Sequence, residues 1–216
     1  MRDLIIQEIL DKKIIAIVRG LPEGQAAPLA GALLAGGISL IEVTFNQAQP
    51  ESHLRTAKAI AAIREAFGDS MRVGAGTVMT AAQLRLAYDA GAGFIISPNA
   101  DAEVISGTRK LGLVSLPGCM TPTECAAAHG CGADFIKIFP AGTLGPGYIK
   151  ALTAPLSHLR FLAVGGVDCA NMPDFLRAGA LGFGVGGNLV NREWIAAGAF
   201  GRITALAEGY VRAAGG

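Results

Sequence analysis

The chain has 216 residues with a formal net charge of +1; 51% of the residues are hydrophobic and 16% are charged. This length and apolar content predict one domain with a well-buried core over residues 1–216. We expect no nucleic-acid partner, because a nearly neutral chain offers no basic surface for a phosphate backbone.

The first residues and the cysteines bear on where the protein works. Charges are scattered through residues 1–13, where a signal peptide would need an unbroken apolar stretch. Residues 24–41 are uncharged but contain four glycines and Pro28, which favours helix, turn and strand over a membrane span. We therefore expect a cytoplasmic protein with no membrane partner. Its cysteines lack a Cys-x-x-Cys pair and have the apolar sequence surroundings of reduced thiols: Cys119, Cys125, Cys131 and Cys169.

Short β-rich runs alternate with longer helical runs along the chain, after an amphipathic stretch that predicts a short N-terminal helix. Such alternation is typical of repeated β/α units around a parallel sheet. Helices are clearest over 51–67, 81–90 and 193–213. Eight strands are predicted, over 14–18, 40–44, 72–75, 93–97, 113–116, 135–139, 160–164 and 182–185.

The number of units favours an α/β fold of the compact (β/α)8 type, also called a TIM barrel, built as a single domain. A doubly wound open sheet is the alternative. Its glycine signature, Gly-x-Gly-x-x-Gly after the first strand, is missing, because Arg19-Gly20-Leu21-Pro22 stands there. The barrel is therefore the predicted fold, and its functional residues should lie at the carboxyl ends of the strands.

Two ionisable residues interrupt otherwise apolar strands. Lys137 lies within 135–139 and Glu42 within 40–44. Because side chains alternate along a strand and the flanking isoleucines and valines suit the helix layer, both charged groups should point into the barrel. Burial lowers the pKa of an amine, because it disfavours the charged form. The neutral amine can attack a carbonyl carbon, and a carboxylate can transfer protons. The alternative is a buried ion pair that only fixes the packing.

Several polar or glycine-rich strand ends could bind an anion. Gly165-Gly166 and Gly186-Gly187-Asn188 follow the last two strands, where many barrels bind phosphate through backbone N–H groups. Arg19 ends the first strand and could hold a carboxylate or phosphate, or lie on the surface as an ordinary arginine. Thr77 follows the third strand and could bind a ligand or cap the next helix.

Metal chemistry has no support in the sequence. His53, His129 and His158 lie in helical or loop segments without neighbours spaced as metal ligands. We therefore expect no metal site and no cofactor.

Five segments together resemble the class I aldolases for 2-keto-3-deoxy-6-phosphosugar acids, and the resemblance runs over about residues 14–189. They are Glu42-Val43-Thr44, Gly74-Ala75-Gly76-Thr77-Val78, Ile96-Ser97-Pro98-Asn99, Pro117-Gly118-Cys119-Met120-Thr121-Pro122-Thr123-Glu124 and Lys137-Ile138-Phe139-Pro140-Ala141.

The resemblance implies a role for each candidate residue. Lys137 corresponds to the Schiff-base lysine and Glu42 to the general acid and base. Thr77, aided by Arg19, would hold the carboxylate of pyruvate. The pocket would be lined by Pro98 and Phe139, and the phosphate would bind at Gly165, Gly166, Gly186, Gly187 and Asn188.

Two branches of this family differ in the epimer that they cleave. Asn46 and Val164 resemble the galactonate branch, whereas the gluconate branch usually has arginine and threonine there. The resemblance thus implies cleavage of 2-dehydro-3-deoxy-6-phosphogalactonate to pyruvate and D-glyceraldehyde 3-phosphate by a homotrimer. Asn188 departs from the pattern, because serine is common at its place. Rival functions are the gluconate aldolase, another phosphate-binding barrel enzyme such as an epimerase or isomerase, and a non-catalytic sugar-phosphate sensor.

Overall fold

The computed structural model describes residues 1–22 and 24–215. Its strands form one parallel sheet in the order β5-β4-β3-β2-β1-β9-β8-β7-β6, which curls into a barrel. The strands are β1 Ile14–Val18, β2 Leu40–Thr44, β3 Arg72–Gly76, β4 Phe94–Ile96, β5 Val114–Leu116, β6 Gly118–Cys119, β7 Ile136–Ile138, β8 Phe161–Val164 and β9 Gly182–Val185.

The fifth predicted strand is longer than the sequence indicated and is bent at Pro117, which divides it into β5 and β6. Proline has no N–H to donate, so the ladder is interrupted there. Before the bend the strand pairs with β4, and after it with β7. Two backbone hydrogen bonds close the ring of strands. Phe135 N donates to Ser115 O at 3.2 Å, and Lys137 N donates to Pro117 O at 2.9 Å. The predicted (β/α)8 barrel is thereby confirmed.

Helices surround the barrel and also cover one end of it. The α-helices are α1 Arg2–Lys12, α2 Ala26–Ala35, α3 His53–Phe67, α4 Ala81–Asp89, α5 Ala102–Lys110, α6 Pro122–Gly130, α7 Ala141–Leu144, α8 Pro146–Thr153, α9 Met172–Arg177, α10 Arg192–Ala196 and α11 Phe200–Ala213. The prediction of one helix over 193–213 was wrong. The chain turns between α10 and α11, where Gly198 has a φ of +65° that glycine adopts without steric cost.

Two apolar layers hold the barrel together. The outer layer lies between the strands and the surrounding helices. The inner layer fills the amino-terminal half of the barrel, where Ile5, Ile6 and Ile9 of α1 pack on side chains that point inward from the strands. Burying each isoleucine contributes roughly 1.5–3 kcal/mol. The short N-terminal helix is therefore a plug, and it leaves the carboxyl ends of the strands as the open end of the barrel. The inward-pointing partners are Ile15, Leu40, Phe94, Ile96, Val114, Leu116, Phe135 and Leu162.

Among the described residues, no helix is both long enough and apolar enough to cross a membrane. All four cysteines are free thiols; Cys119 and Cys125 are buried, and Cys131 and Cys169 are partly exposed.

Candidate active site

Lys137 and Glu42 both lie inside the barrel, each in the middle of its strand. Lys137 is the central residue of β7 and is 4% exposed, while Glu42 is the central residue of β2 and is 1% exposed. Their strand neighbours Ile136, Ile138 and Val43 belong to the outer apolar layer. Alternation along each strand therefore turns the two ionisable side chains inward, as the sequence predicted.

Burial shifts the pKa of both groups. Desolvation lowers the pKa of Lys137, and the attraction of Glu42 opposes that change only in part. Desolvation likewise raises the pKa of Glu42, although Lys137 and then Arg19 pull it down. The site thus favours a neutral amine, which can attack a carbonyl, beside a carboxyl group that can hold or release a proton.

The two groups interact without forming a direct ion pair. Among the described residues, no salt bridge within 4.0 Å joins Lys137 to Glu42. The Oε2 atom of Glu42 is buried and has no hydrogen-bond partner within 1–22 and 24–215. Buried acceptors are normally satisfied, so this oxygen marks a place where a water or a substrate hydroxyl would bind. The two groups therefore interact through their charges and not through a contact within 4.0 Å.

Glycine at position 76 makes room for the Glu42 carboxylate. A Cβ at Gly76 would lie 1.7 Å from Oε1 of Glu42 and 2.4 Å from its Cδ. The neighbouring inward position, Gly74, is filled by the ring of Phe94, with which a Cβ would collide at 2.2 Å. The two glycines of β3 thus leave space for a carboxylate nearer the open end and for an aromatic side chain below it.

Arg19 and Phe139 lie near the amine. Arg19 is exposed just after β1, yet its charge lowers the pKa of both Glu42 and Lys137, so it faces the same site. The Nζ atom of Lys137 lies 5.0 Å from the centroid of the Phe139 ring. Phe139 is 37% exposed, which places its ring at the opening of the site.

Thr77 and Pro98 follow β3 and β4. Thr77 has a φ of +55°, which is rare for a β-branched residue, and its carbonyl accepts a 2.7 Å hydrogen bond from Nε2 of Gln47. The Thr77 side chain does not cap α4, because that hydrogen bond is made by Thr80. The backbone of Pro98 packs against β6, because a Cβ added at Gly118 would lie 2.4 Å from it.

The two glycine loops lie at the open end of the barrel. Gly165 and Gly166 have φ of +86° and +73°, and a Cβ at Gly165 would come within 3.0 Å of the Phe139 ring. A Cβ at Gly187 would meet nothing within 4 Å, so this backbone borders open space. Asn188 joins the loops, because its Nδ2 donates to Val167 O at 3.2 Å. Gly186 lies beside Ile17, because a Cβ added at Gly186 would lie 3.9 Å from the Ile17 side chain.

A cavity of about 480 Å³ opens between the end of β1 and the loop after β9, and it is lined in part by Ile17, Arg19 and Gly187. The lining also includes Arg192 and Glu193, so two cations, one carboxylate and an uncrowded backbone face the same space. The excess of positive charge suits an anionic ligand. Among the described residues, no cluster of three or more His, Cys, Asp or Glu side chains could hold a metal ion.

Val164 and Asn46, the residues that separate the two branches, differ in their surroundings. Val164 lies within the barrel beside Gly184. A Cβ added at Gly184 would lie 3.0 Å from the Val164 methyl groups. Asn46 is exposed after β2, and its side chain bonds within its own loop, to Gln49 and to Ala48 N. Neither side chain brings a charge to the site.

Sequence reasoning missed three residues that shape the site: Gly76, Gln47 and Gln83. Gly76 belongs to the segment Gly74-Ala75-Gly76-Thr77-Val78, but that segment does not indicate that the missing side chain of Gly76 makes room for Glu42. Gln83 is 3% exposed on the inner face of α4. The signal that could have drawn attention to it is its place on the apolar side of this helix, with Leu84 and Ala87. Gln47 carried no signal, because an exposed loop glutamine is ordinary.

Comparison with known proteins gives a consistent family. The sequence profile described as KDPG and KHG aldolase matches residues 5–206. A 2-dehydro-3-deoxy-6-phosphogalactonate aldolase of Escherichia coli (strain K12) is 38% identical over 177 residues, which are 82% of this chain and 83% of the relative. A 2-dehydro-3-deoxy-phosphogluconate aldolase of Treponema pallidum (strain Nichols) is 36% identical over 208 residues, or 94% of each chain.

A solved structure shows the same barrel. The KDPG aldolase of Legionella pneumophila, with pyruvate captured as a covalent carbinolamine intermediate, superimposes with a TM-score of 0.84 at 29% identity, covering 94% of this chain and 96% of that one. The fold and the family profile together define a barrel aldolase. The chain belongs to the KDPG and KHG aldolase family.

Proposed function

We propose that this protein is a class I aldolase that cleaves 2-dehydro-3-deoxy-6-phospho-D-galactonate to pyruvate and D-glyceraldehyde 3-phosphate. The observation that carries the proposal is the buried Lys137 amine, with its lowered pKa, facing the buried Glu42 carboxyl group. The relatives' names and the captured pyruvate of the Legionella enzyme support the same chemistry.

The first half of the reaction makes an imine. The neutral Lys137 amine attacks the C2 carbonyl carbon, and a proton moves to the carbonyl oxygen to give a carbinolamine. Glu42 then protonates the C2 hydroxyl, water leaves, and a positively charged iminium remains. The unpaired Oε2 of Glu42 is the free acceptor that this proton shuttle needs. The iminium provides the electron sink that the next step requires.

The second half breaks the carbon–carbon bond. Glu42 takes the proton of the C4 hydroxyl, the aldehyde forms at C4, and the electrons of the C3–C4 bond move through C2 to neutralise the iminium nitrogen. The resulting enamine takes a proton at C3 from Glu42. Water then adds to the iminium and releases pyruvate with the amine of Lys137 regenerated.

The carboxylate and the phosphate of the substrate would bind different residues at the open end of the barrel. The C1 carboxylate would be held by Thr77 with help from Arg19, beside Pro98 and Phe139. The phosphate would bind the backbones of the two glycine loops, at Gly165, Gly166, Gly186 and Gly187. Asn188, whose amide already donates to Val167 O, would act by holding the two loops together.

The choice of epimer rests on two positions. Val164 offers no hydroxyl to a substrate oxygen, and the Asn46 side chain is bonded within its loop. The gluconate epimer is the second candidate, because a gluconate aldolase matches 94% of the chain. Cleavage rates for the two C4 epimers, measured at equal concentration, decide between them. Faster turnover of the gluconate epimer would reject the galactonate assignment.

Borohydride reduction in the presence of pyruvate, followed by peptide mass mapping, tests the chemistry. We expect an adduct on Lys137 in the wild type, none in Lys137→Met, and an unchanged adduct in the control Lys150→Met, which alters an exposed lysine of α8. A label on another lysine would reject the assignment. No adduct would favour an epimerase or isomerase, and ligand binding without pyruvate release would favour a sensor.

We also infer a homotrimer in the cytoplasm. The trimer follows from the resemblance to the family, and sedimentation equilibrium tests it, since a monomer or dimer would contradict it. The compartment follows from the four free cysteines, because reduced thiols are usual in the cytosol.

A further inference from the structure

We propose that Gln47 and Gln83 are positioning residues, which hold Thr77 in its left-handed conformation so that its hydroxyl meets the carboxylate of the keto acid. This inference rests on the proposed aldolase function. The relevant residues connect the loop after β2, the loop after β3 and the start of α4.

The position of Thr77 requires an explanation because simple strand alternation would turn it away from the site. Gly74 and Gly76 of β3 face the barrel interior, while Ala75 belongs to the outer apolar layer. An extended chain would place the next residue, Thr77, on the same outer side as Ala75. Its φ of +55° breaks that alternation at the first residue after β3.

The left-handed conformation is unfavourable for a β-branched residue, so neighbouring groups must hold it. Gln47 stabilises this conformation of Thr77, because its Nε2 donates a hydrogen bond to Thr77 O at 2.7 Å. Residues on either side are also fixed: Phe45 N donates to Gly76 O at 2.9 Å, and Val78 N donates to Ile96 O at 3.2 Å. The carbonyl of Thr77 is thus fixed by a side chain and not by the sheet.

Gln83 in turn holds Gln47. Gln83 is 3% exposed, and its Nε2 donates to Oε1 of Gln47 at 2.9 Å. Its Oε1 accepts from Met79 N at 2.8 Å, which ties α4 to the same loop. A primary amide suits this place because it donates with one end and accepts with the other. The buried glutamine therefore orients the exposed one, which would otherwise rotate freely.

The Thr77 hydroxyl makes no hydrogen bond within residues 1–22 and 24–215, whereas its carbonyl is engaged by Gln47. The site thus fixes the backbone of Thr77 and leaves its hydroxyl for a ligand. A carboxylate on the keto acid is the acceptor that such a hydroxyl would meet.

The test measures the pyruvate concentration that gives half-maximal borohydride trapping. Gln47→Ala should raise this concentration about three- to tenfold, the effect of losing one hydrogen bond, with the maximal trapping rate within about twofold of wild type. Gln7→Ala is the matched control, because its exposed side chain makes a bond of 2.8 Å to Asp11 in α1. It should leave trapping unchanged.

A double-mutant cycle separates positioning from a purely structural role. In a Thr77→Ala background the hydroxyl is gone, so Gln47→Ala should add less than about a twofold further increase. A full additive increase would overturn the inference, as would a lowered melting temperature in Gln47→Ala with unchanged half-saturation. A wild type that shows no trapping at Lys137 would instead reject the proposed function, and this inference with it.

Discussion

The close approach of Gly76 to Glu42 allows a sharp test of the site, by the substitution Gly76→Ala. The new methyl group would lie 1.7 Å from Oε1 of Glu42, whereas ordinary contact begins at 3.4 Å. The carboxylate must therefore retreat by about as much again, and it cannot do so freely because Glu42 is 1% exposed.

A misplacement of about 1 Å can cost about a hundredfold in rate, so we expect turnover to fall at least that far. Overpacking a buried site also costs roughly 1–3 kcal/mol of unfolding free energy. Formation of the imine at Lys137 should suffer less than turnover, because its amine comes from β7 and not from β2.

The assays are steady-state cleavage and urea unfolding, made on Gly76→Ala, Glu42→Ala and the double variant. Glu42→Ala removes the three atoms nearest to the new methyl group, so Gly76→Ala should cost much less stability in that background. Gly209→Ala in α11 is the matched control, where a Cβ meets only the Arg212 side chain at 4.0 Å. It should gain roughly 0.5–1 kcal/mol without loss of rate. Native turnover in Gly76→Ala would refute the reasoning.

Three further predictions concern the acid, the neighbouring cation and the plug. Glu42→Gln should lose at least about a hundredfold in turnover while keeping part of its imine formation, and near-native turnover would argue against the proton shuttle. Arg19→Gln should raise the pKa of Lys137, because Arg19 lowers it, so borohydride trapping should require a higher pH. Since Arg19 is exposed, high salt should shrink that difference; an unchanged pH profile at low salt would contradict it. Ile9→Ala removes a side chain with 0% exposure and should cost about 2–5 kcal/mol of unfolding free energy, with turnover per folded molecule retained. A smaller cost would show that α1 does not seal the barrel.

The sequence was sufficient for the strands and for the direction of the two ionisable groups. Strand alternation has a fixed period of two, so Glu42 and Lys137 could be placed inside the barrel from their neighbours alone. The bend at Pro117 was missed, because the pairing of each half of that strand depends on partners distant in the chain. The break at Gly198 was missed because the apolar pattern continues on both sides of it.

Other features of the site could not be read from the sequence for a physical reason. The importance of Gly76 depends on a diagonal contact: the register pairs Glu42 with Gly74, yet the Glu42 carboxylate reaches over Gly76. Such a contact depends on the pairing between β2 and β3 and on the direction of the Glu42 side chain. The connection from Gln83 through Gln47 to Thr77 joins three separate segments by amide hydrogen bonds. Nothing in the local sequence specifies such a connection.

The packing of α1 against the inner side chains closes the amino end of the barrel, so a ligand would approach Lys137 from the carboxyl ends of the strands. Lys137 lies in mid-strand, while the glycine loops stand at the threshold. In the proposed reaction, a substrate attached to Lys137 would release its phosphorylated fragment first, and the three-carbon acid would leave only after the bond to Lys137 is hydrolysed. Product inhibition should therefore follow the pattern of ordered release, with the three-carbon acid as the last product to leave.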